Sequence, residues 1–216
     1  MTETLNKIRE PMKITNKSMS AFASFMMLVL GIGLGILAKW LDSLELNSNI
    51  WWHRLIEKLD LGNVFSEMAI WLLIALAIAV YSFHPLKAAV NVFLFFAGMC
   101  ASYHIYTIMF SGFDPSDYMK LWYGLTVASP FIGAVCWYAK SKTAPAIVIS
   151  ALIVYIMARY CFNMGMVYFS FRSVIYTLIF AGALTVIYRG PRQVAIAFVS
   201  GMVLAFIDPL SRFIQI

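Results

Sequence analysis

The sequence predicts an all-α membrane protein: a polytopic bundle of seven transmembrane helices, six if the last apolar segment does not cross, plus one interfacial amphipathic helix. Composition points there first. Of 216 residues 62% are apolar and 12% charged, and the mean hydropathy is +0.82, whereas soluble domains run at about 45–50% apolar and about 25% charged. A soluble protein of this size needs a polar exterior to cover its core; in lipid the exterior can be apolar while the backbone satisfies itself internally. The second observation is that the apolar residues come in long unbroken runs. A membrane β-barrel would instead show strands of alternating polarity about ten residues long. The third is that short basic turns separate the runs.

Residues 1–19 are polar and basic (Lys7, Arg9, Lys13, Lys17) and read as a cytoplasmic tail. They precede the first apolar run, which ends without a small-residue cleavage site, so no cleavable signal is expected. The first span is 20–41, about the 20 residues a bilayer requires. In 47–60, Ile50, Trp51, Leu55, Ile56 and Leu59 recur at helical spacing. Arg54, Glu57, Lys58 and Asp60 take the other face, as in a helix lying in the interface with its tryptophans at headgroup level.

The second and third spans are 67–83 and 87–110, joined by Ser82-Phe83-His84-Pro85, with Pro85 suited to a first helical turn. The polar turn Ser111 to Asp117 leads into the fourth span, 118–139, where Pro130 predicts a kink. Spans five to seven are 144–162, 169–188 (Arg172 early in it) and 193–210, followed by a short tail, 211–216. Residues 20–210 therefore read as a single transmembrane domain, with no soluble domain, linker or internal repeat.

Charge sets the orientation. With the N-terminus cytoplasmic, the inner segments are 1–19, 84–87, 140–143 and 189–192. They carry nine Lys and Arg against two acids, a net of +7, and the rest of the chain nets −1. Every short inner turn is basic, as the positive-inside rule requires, which places the protein in the cell membrane as a multi-pass component. Because the basic residues are dispersed between apolar segments, the net charge of +6 does not indicate nucleic acid.

Ionisable groups inside spans are costly and mark candidate sites. Lys39, His104, Arg159 and Asp208 all fall toward the outer ends of their helices, with Tyr103, Tyr106, Tyr160 and Asn163 at similar depth. Together they are expected to line an outward-open polar pocket. Each also has a simpler account. Lys39 and Asp208 sit where a charged head reaches interfacial water, and Arg159 lies within about one turn of its helix end. His104 shares a face with Ala97, Cys100, Ala101 and Thr107, small residues that mark a helix–helix contact, so a buried structural histidine explains it as well as a ligand contact does. Gly31/Gly35 and Ala197/Gly201/Ala205 form small-xxx-small ridges, which allow close helix packing within one chain or between chains.

Several functions are excluded by what the sequence lacks. It has no HExxH, GxSxG, Walker A or GxGxxG motif and no pair of intramembrane acids. Ser102 and His104 are two apart on a helix and face different ways. Cys100, Cys136 and Cys161 lie in apolar segments without ligand spacing and read as small core residues, so no metal or cofactor is expected. In length, helix number and lack of a soluble domain the chain resembles the substrate-binding membrane subunits of energy-coupling-factor vitamin transporters, although none of their substrate motifs is present. The resemblance implies a solute pocket and an energising partner subunit. The expected function is a small transport or solute-binding membrane protein, with lipid and an unknown small solute as partners and a further subunit or a second copy as companion. The alternative is an accessory, assembly or immunity-type protein acting through helix contacts.

Overall fold

The computed structural model describes residues 9–10, 17–47, 49–141, 143–165 and 168–207. Nine α-helices are present among them: α1 (Lys17–Asp42), α2 (Trp51–Lys58), α3 (Leu61–Ser66), α4 (Met68–Tyr81), α5 (Pro85–Tyr106), α6 (Ser116–Trp137), α7 (Ala144–Cys161), α8 (Val174–Ile187) and α9 (Pro191–Ile207). By length and composition three helical stretches can cross a membrane: Ser20–Asp42, Pro85–Ser111 and Ala144–Cys161. Helices α4, α8 and α9 are apolar but shorter. At about 1.5 Å per residue, the 14 residues of α4 rise about 21 Å.

The shortening has local causes. Residues 169–171, expected at the start of a helical span, instead pair antiparallel with Phe162–Met164, in the register Phe162↔Phe171, Asn163↔Ser170 and Met164↔Phe169. Phe162 meets the rings of Phe169, Phe171 and Phe180 at centroid separations of 5.3, 5.7 and 4.9 Å. That aromatic contact holds the strands together, and α8 starts only at Val174. The amphipathic stretch 47–60 yields the shorter α2, because Asp60 takes a left-handed conformation (φ 52°) and α3 restarts the helix in a new direction. On α2, Trp51 and Leu55 are exposed, while His53 is buried and its Nδ1 accepts from the Asn47 amide at 2.8 Å.

Pro85 does open α5, and the His84 imidazole caps the helix by accepting from the Lys87 amide at 3.2 Å. Burial, and then the nearby Lys87 ammonium, hold His84 below the ordinary histidine pKa, which keeps the ring a neutral acceptor. The far end of α5 widens into a π-turn, Thr107–Ser111, closed by Gly112 at φ 72°. Helix α6 continues through Pro130. Proline cannot donate to the carbonyl one turn back; that carbonyl, on Thr126, accepts from the Ser129 hydroxyl at 2.8 Å.

Two cores share α4. One joins it to α7, α8 and α9 through residues such as Leu76, Val154, Phe180 and Ala205. The other joins it to α1, α5 and α6 around Trp71, Phe95 and Trp122. Both glycine ridges act inside the chain. A Cβ on Gly31 or Gly35 would collide with α5 backbone at Phe95 and Met99. A Cβ on Gly98 of α5 would lie 2.6 Å from the carbonyl oxygen of Leu28. Gly201 on α9 fits against α7 in the same way, with Ala197 and Ala205 buried beside it. Where α1 meets α5 and the turn before it, Ser24 donates to Asn91 at 2.5 Å, and Asn91 donates to the Ser82 hydroxyl at 3.1 Å.

Because the atoms facing Gly98 are backbone, Gly98→Val is expected to cost about 1–3 kcal/mol by overpacking. Gly33→Ala, where a Cβ meets nothing within 4 Å, should stay within about 0.5 kcal/mol of the parent. Denaturant unfolding in mild detergent, followed by tryptophan fluorescence, measures both; equal effects would refute the α1–α5 packing.

Candidate functional site

The polar residues expected at the outer helix ends separate into two clusters, one on each side of α4. In the first, Lys39 is 6% exposed and pairs with Asp42 at 2.6 Å. Its ammonium lies 5.6 Å from the Tyr103 ring centroid and 5.4 Å from that of Phe113. Such cation–π contacts stabilise by about 0.5–2 kcal/mol. His104 Nδ1 is 2.5 Å from the Tyr123 hydroxyl, and its Nε2 is 3.8 Å from Asp114. Hydrogen bonds from the Ser116 hydroxyl and amide, with a smaller contribution from His104, hold the Asp114 carboxyl below the usual aspartate range. Tyr106 stacks on Phe110 at 4.6 Å.

The second cluster gathers where α7, the hairpin and α8 meet the start of α4. Arg159 donates to the Met164 carbonyl at 2.9 Å, and its Nε is buried without a hydrogen-bond partner among the described residues. Arg172 forks onto both oxygens of Glu67 at 2.5 Å, donates to the Tyr160 carbonyl at 3.2 Å and stands 4.6 Å over the Tyr176 ring. Asn163 is exposed: the strand alternates, and Phe162 and Met164 take the buried face. Asp208 lies outside the described residues.

The structure therefore brings Lys39, Tyr103 and His104 together, and separately Arg159, Tyr160 and Asn163. At the first cluster a void of about 10 Å³ lies between Ala38, Ser66, Trp71 and Tyr103, room for a single water at most. His104 and Arg159 line neither that void nor the large cavity. Within each cluster most of the described polar groups are bonded to one another, and Arg159 Nε is an exception.

The large cavity lies lower and is apolar. A groove of about 550 Å³ runs between α6 and α7, which do not close on each other there. Its α6 wall is Leu121, Gly124, Leu125, Ala128 and Ile132; its α7 wall is Ile153, Ile156 and Met157. Leu72, Ala75, Leu76 and Ala79 of α4 form the floor. Lys120 and Tyr160 stand at one end and Cys136 toward the other. The volume falls in the range of about 300–1,000 Å³ of ligand pockets. A readable signal existed in Gly124-xxx-Ala128, small residues one turn apart that line the gap.

At the opposite end of the bundle Arg9 donates to the carbonyls of Trp137, the last residue of α6, and, at 3.1 Å, of Val80, next to the last of α4. Its guanidinium sits 4.2 Å from the Trp137 ring centroid, while the Trp137 indole donates to the Ser82 carbonyl at 2.7 Å. Helix C-termini present unpaired carbonyls and partial negative charge, which a cation complements. Burial, then Arg189, lowers the Arg9 pKa from its ordinary value.

The Glu67–Arg172 fork ties α4 to the start of α8 with both side chains about a third exposed. A double-mutant cycle with Glu67→Gln and Arg172→Gln is expected to give a coupling of about 1 kcal/mol, the upper range for exposed pairs because the contact is bidentate. Chemical unfolding of the four proteins measures it, and zero coupling would make the pair ornamental. No family model, curated protein or solved structure matches this chain.

Proposed function

We propose that the chain is a solute-binding protein of the transport class, embedded in the cell membrane by seven spans with a cytoplasmic N-terminus, and that it takes its solute from the bilayer into the α6–α7 groove. The observation that carries this reading is the groove itself: about 550 Å³, walled almost entirely by aliphatic side chains and open along one side. An apolar cavity in a membrane protein is reached through lipid, so its natural ligand partitions there first. The polar clusters support the same reading, since most of their charged groups face internal partners. The shorter helices α4, α8 and α9 complete the seven crossings with their flanking segments, and the basic turns supply the orientation.

Filling the groove tests the function. A Cβ on Gly124 meets nothing within 4 Å, so Gly124→Phe is accommodated and occupies the cavity. Hexadecanol, an uncharged long-chain probe, should raise the unfolding temperature of the parent in nanodiscs by about 5–10 °C at a hundredfold excess over Kd. Gly124→Phe should unfold at the parent's own temperature and lose that shift. Absence of a shift in the parent would favour the accessory-protein reading.

Orientation is tested separately. After replacement of the native cysteines, Gly190→Cys should resist a membrane-impermeant thiol reagent in intact cells, and Ser116→Cys should label. The reverse pattern would invert the topology.

A further inference from the structure

We infer that the groove takes a single-chain amphiphile with an anionic carboxylate head, the head lodged at Lys120 and Tyr160 and the chain running toward Cys136. This rests on the groove being a solute site, as proposed above. Three observations carry it.

The first is the distribution of polar groups. The lining residues include one cation, Lys120, and no acid. Lys120 and Tyr160 stand at the outer end, on the first turns of α6 and the last turn of α7. An ammonium offers only donors and a phenol offers one, so this end selects a head that accepts. The hydroxyl of Ser129, further in, is committed to the Thr126 carbonyl at 2.8 Å. Lys120 is held by Asp117 at 2.6 Å, but the two side chains are 75% and 94% exposed. An exposed pair of this kind contributes little and exchanges readily for a carboxylate arriving from the groove.

The second is capacity. The cavity, about 550 Å³, lies within the range of about 300–1,000 Å³ of pockets that enclose one drug-sized molecule, which suits one long chain with a small head. The third is length. Lys120 to Cys136 spans sixteen residue steps on α6, about 24 Å at the helical rise of 1.5 Å. This exceeds the roughly 15 Å of one leaflet, half of a 30 Å hydrocarbon core, and matches an extended chain of sixteen to eighteen carbons.

The native Cys136 reports on the chain end. The unmodified protein is placed in phosphatidylcholine nanodiscs, reacted with N-ethylmaleimide, and the label at Cys136 is quantified by peptide mass spectrometry, with the unfolding temperature as a second readout. Hexadecanoate should slow labelling at least tenfold and raise the unfolding temperature at a concentration at least tenfold below that needed for hexadecanol. Lys120→Gln should remove the advantage of the acid and leave the alcohol's effect unchanged. Nanodiscs doped with dipalmitoyl phosphatidylglycerol should give no protection. Equal potency of acid and alcohol, or insensitivity to Lys120→Gln, would overturn the anionic-head assignment while leaving the groove as a solute site. Protection by the phosphatidylglycerol would overturn the single-chain assignment. Neither probe acting by either readout would overturn the groove reading as well.

Discussion

Helix α4 has no polar face, and its neighbours follow from that. Trp71, Ala75 and Ala79 point into the core shared with α1, α5 and α6, while Ala69, Leu76 and Val80 point into the core shared with α7, α8 and α9. A helix that is hydrophobic all round is at home only where its surface is shielded from water, and here two groups of helices pack on it from opposite sides. Trp71, 1% exposed, anchors the first group through edge-to-face contacts with Phe65 and Trp122, and its indole donates to the Phe65 carbonyl at 2.8 Å. That bond fixes the entry of the chain from α3 into α4, and with it the position of Glu67 for Arg172.

The same constraint creates the groove. The two groups meet on α4, but α6, which flanks it, carries the small residues Gly124, Ala128 and Gly133 along the groove, and α6 and α7 leave a gap with α4 as its floor. Elsewhere small residues serve the opposite purpose: at Gly31, Gly35, Gly98 and Gly201 helix backbones touch and exclude everything else. One residue type thus makes the tightest seams of the bundle and its widest opening. The difference lies in whether a second small residue faces the first. Gly98 meets the Gly31 stripe, whereas Gly124 meets open space.

Much of the helical architecture was legible in the sequence, because long apolar runs, Pro85 at a helix start and the Gly31/Gly35 ridge each report a local physical requirement. What was not legible depended on pairing between distant residues. Phe162 and residues 169–171 were read as helix ends, and the pairing of 162–164 with 169–171 was not seen, because a three-residue aromatic alternation is too short to declare its period against an apolar background. Outer-end placement did flag Lys39, His104, Arg159 and Tyr160 as a set. Depth along a helix says nothing about direction around it, so the division into two clusters could not be seen. The partners Tyr123, Glu67 and Met164 were missed for the same reason, although an acid and a base at neighbouring helix starts, Glu67 and Arg172, were a pairing open to inspection.

The contact made by Arg9 has a bearing on how the protein is made. Its acceptors, the carbonyls of Val80 and Trp137, lie 71 and 128 residues further along the chain. Arg9 is synthesised before either acceptor, and the carbonyl of Trp137 exists only after α1 to α5 and the whole of α6 have been made. Arg9 is therefore made well before the contact that fixes it can form. Until then the arginine remains free for the anionic lipid surface, which favours basic segments. Docking of Arg9 marks the moment when α4 and α6 have come together, so the earliest stretch of the chain registers the completion of a much later one.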